Sequence, residues 1–183
     1  MTVKGFTLIE LLVVISIMGI LAIVSFVNLG PLREDQGLKA AANELQSLIR
    51  VAQTNAGSSV KCTPTTSGTS WSLDFSPTSV VLDCPGGSPK TLTLTNNVRI
   101  CAINYSNCSI ASDTCSTTND SFAGIVIPST SFAPLTSQAT FTDLRCSAGS
   151  LQSSSTMTIT LKKVGGSTLK SVIFSKGGTV ETR

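Results

Sequence analysis

Glu10 poses the sharpest chemical question in this chain. It closes the stretch Lys4-Gly5-Phe6-Thr7-Leu8-Ile9-Glu10, and the 22 residues from Leu11 to Leu32 that follow carry no charge. An ionised side chain at the centre of a membrane helix costs about 2.5–3.5 kcal/mol, and less at the edge, so an acid there calls for a partner. The other reactive residue types are not arranged for catalysis. Histidine is absent, which removes imidazole acid/base chemistry and His-ligated metals together. The many serines lack a histidine partner, and abundance alone accounts for serine–lysine proximity. Asp74, Asp83, Asp113, Asp120 and Asp143 are scattered without EF-hand spacing and read as solvated turn residues. No metal or cofactor is expected, and an enzyme is the least supported class of function.

Six cysteines, Cys62, Cys84, Cys101, Cys108, Cys115 and Cys146, all follow the apolar run. An even count in a polar domain behind an apolar segment points to disulfides in an oxidising compartment. No C-x-x-C pair exists, which argues against zinc. Six cysteines allow 15 connectivities, and sequence alone does not choose among them. Cys62–Cys84 around a short meander and one bridge within 101–115 are candidates.

The elements that must position these residues begin with the apolar run. As a helix its 22 residues rise about 33 Å, against a hydrocarbon core of about 30 Å. A secretory signal peptide would have a shorter apolar region and a small-x-small cleavage site. A plain signal anchor with Lys4 inside explains the length but not Glu10.

Lys4-Gly5-Phe6-Thr7-Leu8-Ile9-Glu10, followed by Leu-Leu-Val-Val-Ile, closely resembles the start of type IV prepilins and type II secretion pseudopilins. The resemblance covers roughly the first thirty residues. It implies cleavage after Gly5 by a membrane prepilin peptidase, which also N-methylates the new terminus, Phe6. It implies assembly into a filament with other pilin or pseudopilin subunits, in which Glu10 of one subunit meets the Phe6 amine of another. The implied location is the inner membrane, crossed once with the carboxy-terminal domain outside the cytoplasm, and then the filament. Removing residues 1–5 would leave 178 residues.

Gly30-Pro31 is the first punctuation and predicts a helix kink. From Arg33 to Ala56, Leu38, Ala41, Ala42, Leu45, Leu48, Ile49, Ala52 and Ala56 recur every three or four residues, an amphipathic helix that packs on something. Gly57 and Ser58 are expected to end it. Beyond them, short β-branched or alternating segments predict strands at Trp71–Phe75, Val80–Asp83, Leu92–Thr95, Val98–Ile103, Phe122–Ile127, Ala139–Asp143, Thr156–Lys163 and Leu169–Ser175, with Gly165-Gly166 as a hairpin turn. Residues 104–121 read as a disulfide-tied loop.

The fold class is α+β: a long N-terminal helix, its first half transmembrane and its second amphipathic, packed on an antiparallel sheet. Four regions follow: a leader over 1–5, a membrane and filament-core helix over 6–32, an amphipathic helix over 33–57 and an extracytoplasmic β domain over 58–183. This layout resembles pilin-type subunits, and most of all the H-type minor pseudopilins and related minor pilins. Major pilin, or an adhesin or DNA receptor displayed on a filament, is the alternative role. The net charge is only +3, and the basic tail Lys176–Arg183 is interrupted by Glu181 and lacks aromatics, which argues against DNA as a partner.

Overall fold

The computed structural model describes residues 5, 7–26, 29–62, 70–108, 115, 129–142 and 154–183, and the side chains of 24–33 are excepted. Phe6, Cys146 and the strand expected at Phe122–Ile127 lie outside the described residues, as do Asp113, Asp120 and Asp143. The chain divides into two units, Met1–Gln36 and Gly37–Arg183.

The first unit contains helix α1, Leu8–Phe26, a run of leucine, isoleucine and valine with no polar face. Its described large apolar side chains, from Leu8 to Ile23, are exposed, from 46% at Val14 to 82% at Leu8. Ser16 satisfies its hydroxyl within the helix by donating to the Leu12 carbonyl at 2.8 Å. Helix α2 spans Leu29–Gly57, beginning in the first unit and lying mostly in the second. Gly30 and Pro31, where a kink was expected, fall in the first turn of α2. Proline is tolerated there because a first-turn N–H has no intrahelical acceptor to lose. Residues 27 and 28 lie outside the described residues.

All eight apolar positions of the α2 stripe, Leu38 through Ala56, are buried in one hydrophobic core. The helix stops by a different device from the expected glycine. Ser59 takes a left-handed conformation (φ 51°), its N–H bonds the Ala56 carbonyl at 3.1 Å, and the Val60 N–H bonds the Asn55 carbonyl at 2.9 Å. This pair of bonds is a Schellman motif with Ser59 in the position usually held by glycine, while Gly57 stays helical.

The strands form two antiparallel sheets rather than one. Strands β1 (Trp71–Phe75), β2 (Ser79–Asp83), β3 (Lys90–Thr93), β5 (Ser129–Phe132) and β6 (Ala139–Thr142) make the first, in the order β3-β2-β1-β5-β6. Strands β4 (Val98–Tyr105), β7 (Thr156–Lys163), β8 (Leu169–Ser175) and β9 (Val180–Thr182) make the second, in the order β4-β7-β8-β9. The chain first changes sheet at Asn96-Asn97, both left-handed (φ 59° and 57°), with the Val98 N–H closing the turn onto the Thr95 carbonyl at 3.1 Å. Asparagine tolerates this region because its short amide bonds locally.

Alternation decides which face of each strand is inside. In β7, Met157, Ile159 and Leu161 are fully buried and the intervening threonines are half-buried. The β7–β8 hairpin pairs Thr156 with Ser175 through to Lys162 with Leu169. Its turn places Gly165 at φ 78°, and the Gly166 N–H bonds the Lys163 carbonyl at 2.9 Å. Aromatic rings join the two sheets: Phe132 of β5 meets Phe174 of β8 with centroids 5.6 Å apart, Phe141 of β6 meets Phe174 edge-on at 5.6 Å, and Tyr105 of β4 meets Phe141 at 5.9 Å. Such pairs add about 0.5–1.5 kcal/mol each beyond the area they bury.

Strands β5 and β9 have no counterpart among the sequence-based expectations. The Ser-Thr-Ser-Phe of β5 carries a weak alternation, yet Thr130 and Phe132 are fully buried. The three residues of β9 lie in the polar tail, and Gln46 of α2 holds them by donating to the Val180 carbonyl at 3.0 Å. Gln53, two turns further on, donates to the Gly178 carbonyl at 3.1 Å. These glutamines look like solvated positions in the sequence; the tertiary fold makes them the link between helix and tail.

Candidate functional site

The amino-terminal segment carries the residues that the sequence singles out. Helix α1 starts at Leu8 because Thr7 and Glu10 cap it. The Glu10 carboxylate accepts the Thr7 backbone N–H at 3.0 Å and the Thr7 hydroxyl at 2.9 Å. In return the Glu10 N–H donates to Thr7 Oγ1 at 3.4 Å. Thr7-x-x-Glu10 is therefore a capping box, with two otherwise unpaired helix donors satisfied reciprocally. A negative group in the first turn also meets the positive end of the helix dipole.

Glu10 is thus not a bare acid in the intact chain. Its polar partner is three residues away, and the cap leaves Thr7 and Glu10 exposed to whatever approaches the helix end. Ile9, Val13 and Val14 form an apolar depression beside the carboxylate. The intermolecular partner expected for Glu10 is therefore not its only one, since Thr7 already holds the carboxylate. The missed signal was present, since Ser or Thr followed three residues later by Glu before an apolar run marks a helix start.

Gly5 is exposed, and a Cβ built there would meet nothing within 4 Å. Nothing within the described chain therefore requires a glycine at this position. Gly19 on α1 is equally open.

Residues 1–26 match the prokaryotic N-terminal methylation motif. The chain carries a prepilin-type amino terminus. No curated protein and no solved structure matches the chain. The match ends at Phe26, the last residue of α1, so it covers the first helix and the residues before it and none of the β domain. The matched signature is of the prepilin type and spans 26 of the 183 residues.

Among the described residues, no helix is long and apolar enough to cross a membrane. The 19 residues of α1 rise about 29 Å. The charge-free run of the prepilin-type sequence continues past α1 to Leu32, through residues 27 and 28 outside the described set.

The cysteines brace the second unit. Cys62, five residues past the end of α2, is bonded to Cys84 at the end of β2, with Cα atoms 5.8 Å apart. Cys101 is bonded to Cys115 with Cα atoms 5.1 Å apart. Cys101 occupies a β-bulge: the β4–β7 register slips between Ile100 and Ala102, so inward-facing positions change parity along β4. The bulge turns Cys101 and Ala102 to the outer face, where Cys115 covers them as a small separate cluster. Lys162 on the neighbouring strand donates from Nζ to the Cys115 carbonyl at 2.9 Å. Cys108 is disulfide-bonded too, and of the six cysteines Cys146 lies outside the described residues.

Among the described basic residues of the last third, Lys170 and Arg183 line one cavity and Lys162 lies apart from it. Lys162 is engaged at the disulfide loop. Arg183 reaches Glu181 at 3.8 Å with both side chains largely exposed, and Lys170 faces α2 across a cavity lined also by Lys39.

Proposed function

We propose that this chain is a subunit, and specifically a minor subunit, of a type IV pilus or type II secretion pseudopilus. It is anchored in the inner membrane by its apolar run, cut after Gly5, methylated at Phe6 and polymerised with other pilin or pseudopilin subunits. The observation that carries the reading is the prepilin-type signature over residues 1–26. Gly5 supports it, because a glycine that no neighbour demands fits a demand made by a peptidase cleft, where the backbone must approach closely. The uniformly exposed apolar surface of α1 supports it further, because that surface needs lipid or other helices to cover it.

The capping box gives Glu10 a two-stage role. Before cleavage the carboxylate is held by Thr7. Cleavage after Gly5 converts the Phe6 amide into a positively charged amine. In a filament the amine of one subunit approaches Glu10 of another, and at 4 Å the attraction is about 4 kcal/mol at an effective dielectric of 20. Removing one member of such a buried pair typically costs about 3–5 kcal/mol. Glu10→Ala should therefore insert normally and fail to enter filaments. Wild-type incorporation of that variant would refute the role.

The overall reading is tested by the intact mass of protein extracted from membranes. The expected species lacks Met1–Gly5 and carries one added methyl group. A chain that retains Met1 in cells making an active prepilin peptidase would overturn it, and Gly5→Leu should produce that retained form.

A further inference from the structure

The outer edges of the two sheets, β3 and β6 on one and β4 and β9 on the other, are not finished alike. On β6 the outward N–H of Ala139 bonds the Lys176 carbonyl at 3.3 Å. On β9 the outward carbonyl of Val180 accepts the Gln46 amide of α2 at 3.0 Å. On β4 the outward N–H of Ile100 bonds the Pro77 carbonyl at 2.9 Å. The β3 edge differs. The Leu94 N–H bonds the Thr78 carbonyl at 2.9 Å, so Leu94, Leu92 and Lys90 turn their backbone groups towards β2. Thr91 and Thr93 therefore turn theirs outward, and among the described residues nothing takes them. Both threonines are exposed. An open edge of this kind is a template for another strand.

The strand that fits this edge best is β3 itself. Laid antiparallel with Leu92 opposite Leu92, a second copy sets its Thr93 against Thr91 and its Thr91 against Thr93. Each threonine pair exchanges both of its N–H···O bonds, so every outward donor and acceptor of β3 is used. Sliding the register by two residues loses this. One slide sets Thr93 against Pro89, which has no N–H, and the other sets Thr91 against Thr95, whose carbonyl already accepts the Val98 N–H. Leu92 packs on the core and borders a groove of about 230 Å³ walled by Leu48 and Val51 of α2. In the Leu92-centred register the second Leu92 stands on the same face beside that groove, and the relation is reciprocal, as a two-fold axis requires. The edge lysines, Lys90 of each copy, fall four positions apart along the ladder, about 13 Å, and are largely screened from each other. We propose that β3 is a homotypic pairing site, where two copies of this chain join edge to edge about a two-fold axis at Leu92. The inference uses the second unit alone and does not depend on the filament reading. One short strand pair is smaller than the roughly 1,200 Å² of a stable interface, so the association is weak and follows concentration.

The test uses the full chain, purified in detergent, with amide hydrogen exchange read residue by residue in dilute and concentrated samples. The Thr91 and Thr93 amides should exchange freely when dilute and several-fold more slowly when concentrated. The Leu92 and Leu94 amides, already turned to β2, should change little. Thr91→Pro deletes an outward N–H that β2 does not use, so the sheet should persist while the concentration dependence at Thr93 is lost. Thr91→Val keeps the N–H and should keep that dependence. Fast exchange of both threonine amides at every concentration would overturn the proposal, including in samples whose copies associate through α1. So would protection that a folded Thr91→Pro variant retains. Protection that persists on dilution, with a second polypeptide in the intact mass of the sample, would give the edge to a different protein and overturn it as well.

Discussion

The two helices of this protein hide their apolar surface in opposite ways. Helix α1 is apolar on every side, and its described side chains are exposed from Leu8 to Ile23. Helix α2 gathers most of its apolar residues in one stripe, and its own chain buries that stripe completely at Leu38, Leu45, Ile49, Ala52 and Ala56. The contrast separates two kinds of information. The α2 stripe encodes folding, because its partners are the two sheets of the same molecule. The α1 surface is left uncovered by the described residues, so its apolar side chains do not serve the core of the second unit. Around 25 cal/mol per Å² of apolar burial is available to α1 only when something else covers it.

The strongest way to break the comparison is to truncate one residue on each side of it. Phe174→Ala removes a fully buried ring that contacts both Phe132 and Phe141. It should cost about 3–5 kcal/mol of β-domain stability, read by denaturant unfolding. Leu12→Ala on α1 should change the same measurement by less than about 0.5 kcal/mol. A large loss from Leu12→Ala would show that α1 packs on the domain. Next in size is the Cys101–Cys115 bridge, which closes 14 residues of separation. Replacing both cysteines by serine should destabilise the second unit by about 3 kcal/mol and leave α1 helicity unchanged.

Thr7→Ala sharpens the comparison from the other side. Loss of the cap should cost about 1 kcal/mol at the start of α1, seen as fraying of its first turn by amide exchange, with no effect on β-domain unfolding. Thr7→Ser should restore it. The smallest effect belongs to Asp74. Burial in the sheet, and then the charge of Asp83 diagonally across on β2, raise its pKa above the usual aspartate value. The folded state therefore holds this proton more tightly than the unfolded chain. Ionised Asp74 costs stability above its folded pKa, and the cost is relieved as pH falls through that value towards the unfolded one. Asp74→Asn should stabilise the domain by about 0.5 kcal/mol at pH 7 after solvent screening, with the gain vanishing in the acid range. No pH dependence of the difference would contradict the assignment.

The readable parts of the fold were those in which a strong period meets burial. The α2 stripe, the Met157-Ile159-Leu161 alternation and the Gly165 turn each follow from local pattern, because side-chain direction is fixed by the helix or strand period. At the amino terminus, the order Gly5, Phe6, Glu10 and the apolar run was legible without any structure, since the motif is contiguous. The Thr7 cap was legible too, as a Thr-x-x-Glu spacing, but an intermolecular account of Glu10 hid it.

What the sequence by itself determined is the division of labour: an apolar terminus with a prepilin-type motif, an amphipathic helix and a cysteine-bearing β domain. What only the tertiary structure decided is how distant segments meet. Two sheets rather than one, the partners Cys62–Cys84 and Cys101–Cys115, the bulge at Cys101, and the glutamines that hold β9 all depend on contacts across long separations. So does the convergence of Lys39, Lys170 and Arg183 on one cavity. Period and propensity act over a few residues, whereas the choice among compact pairings is made by total burial of the core, which no single segment records.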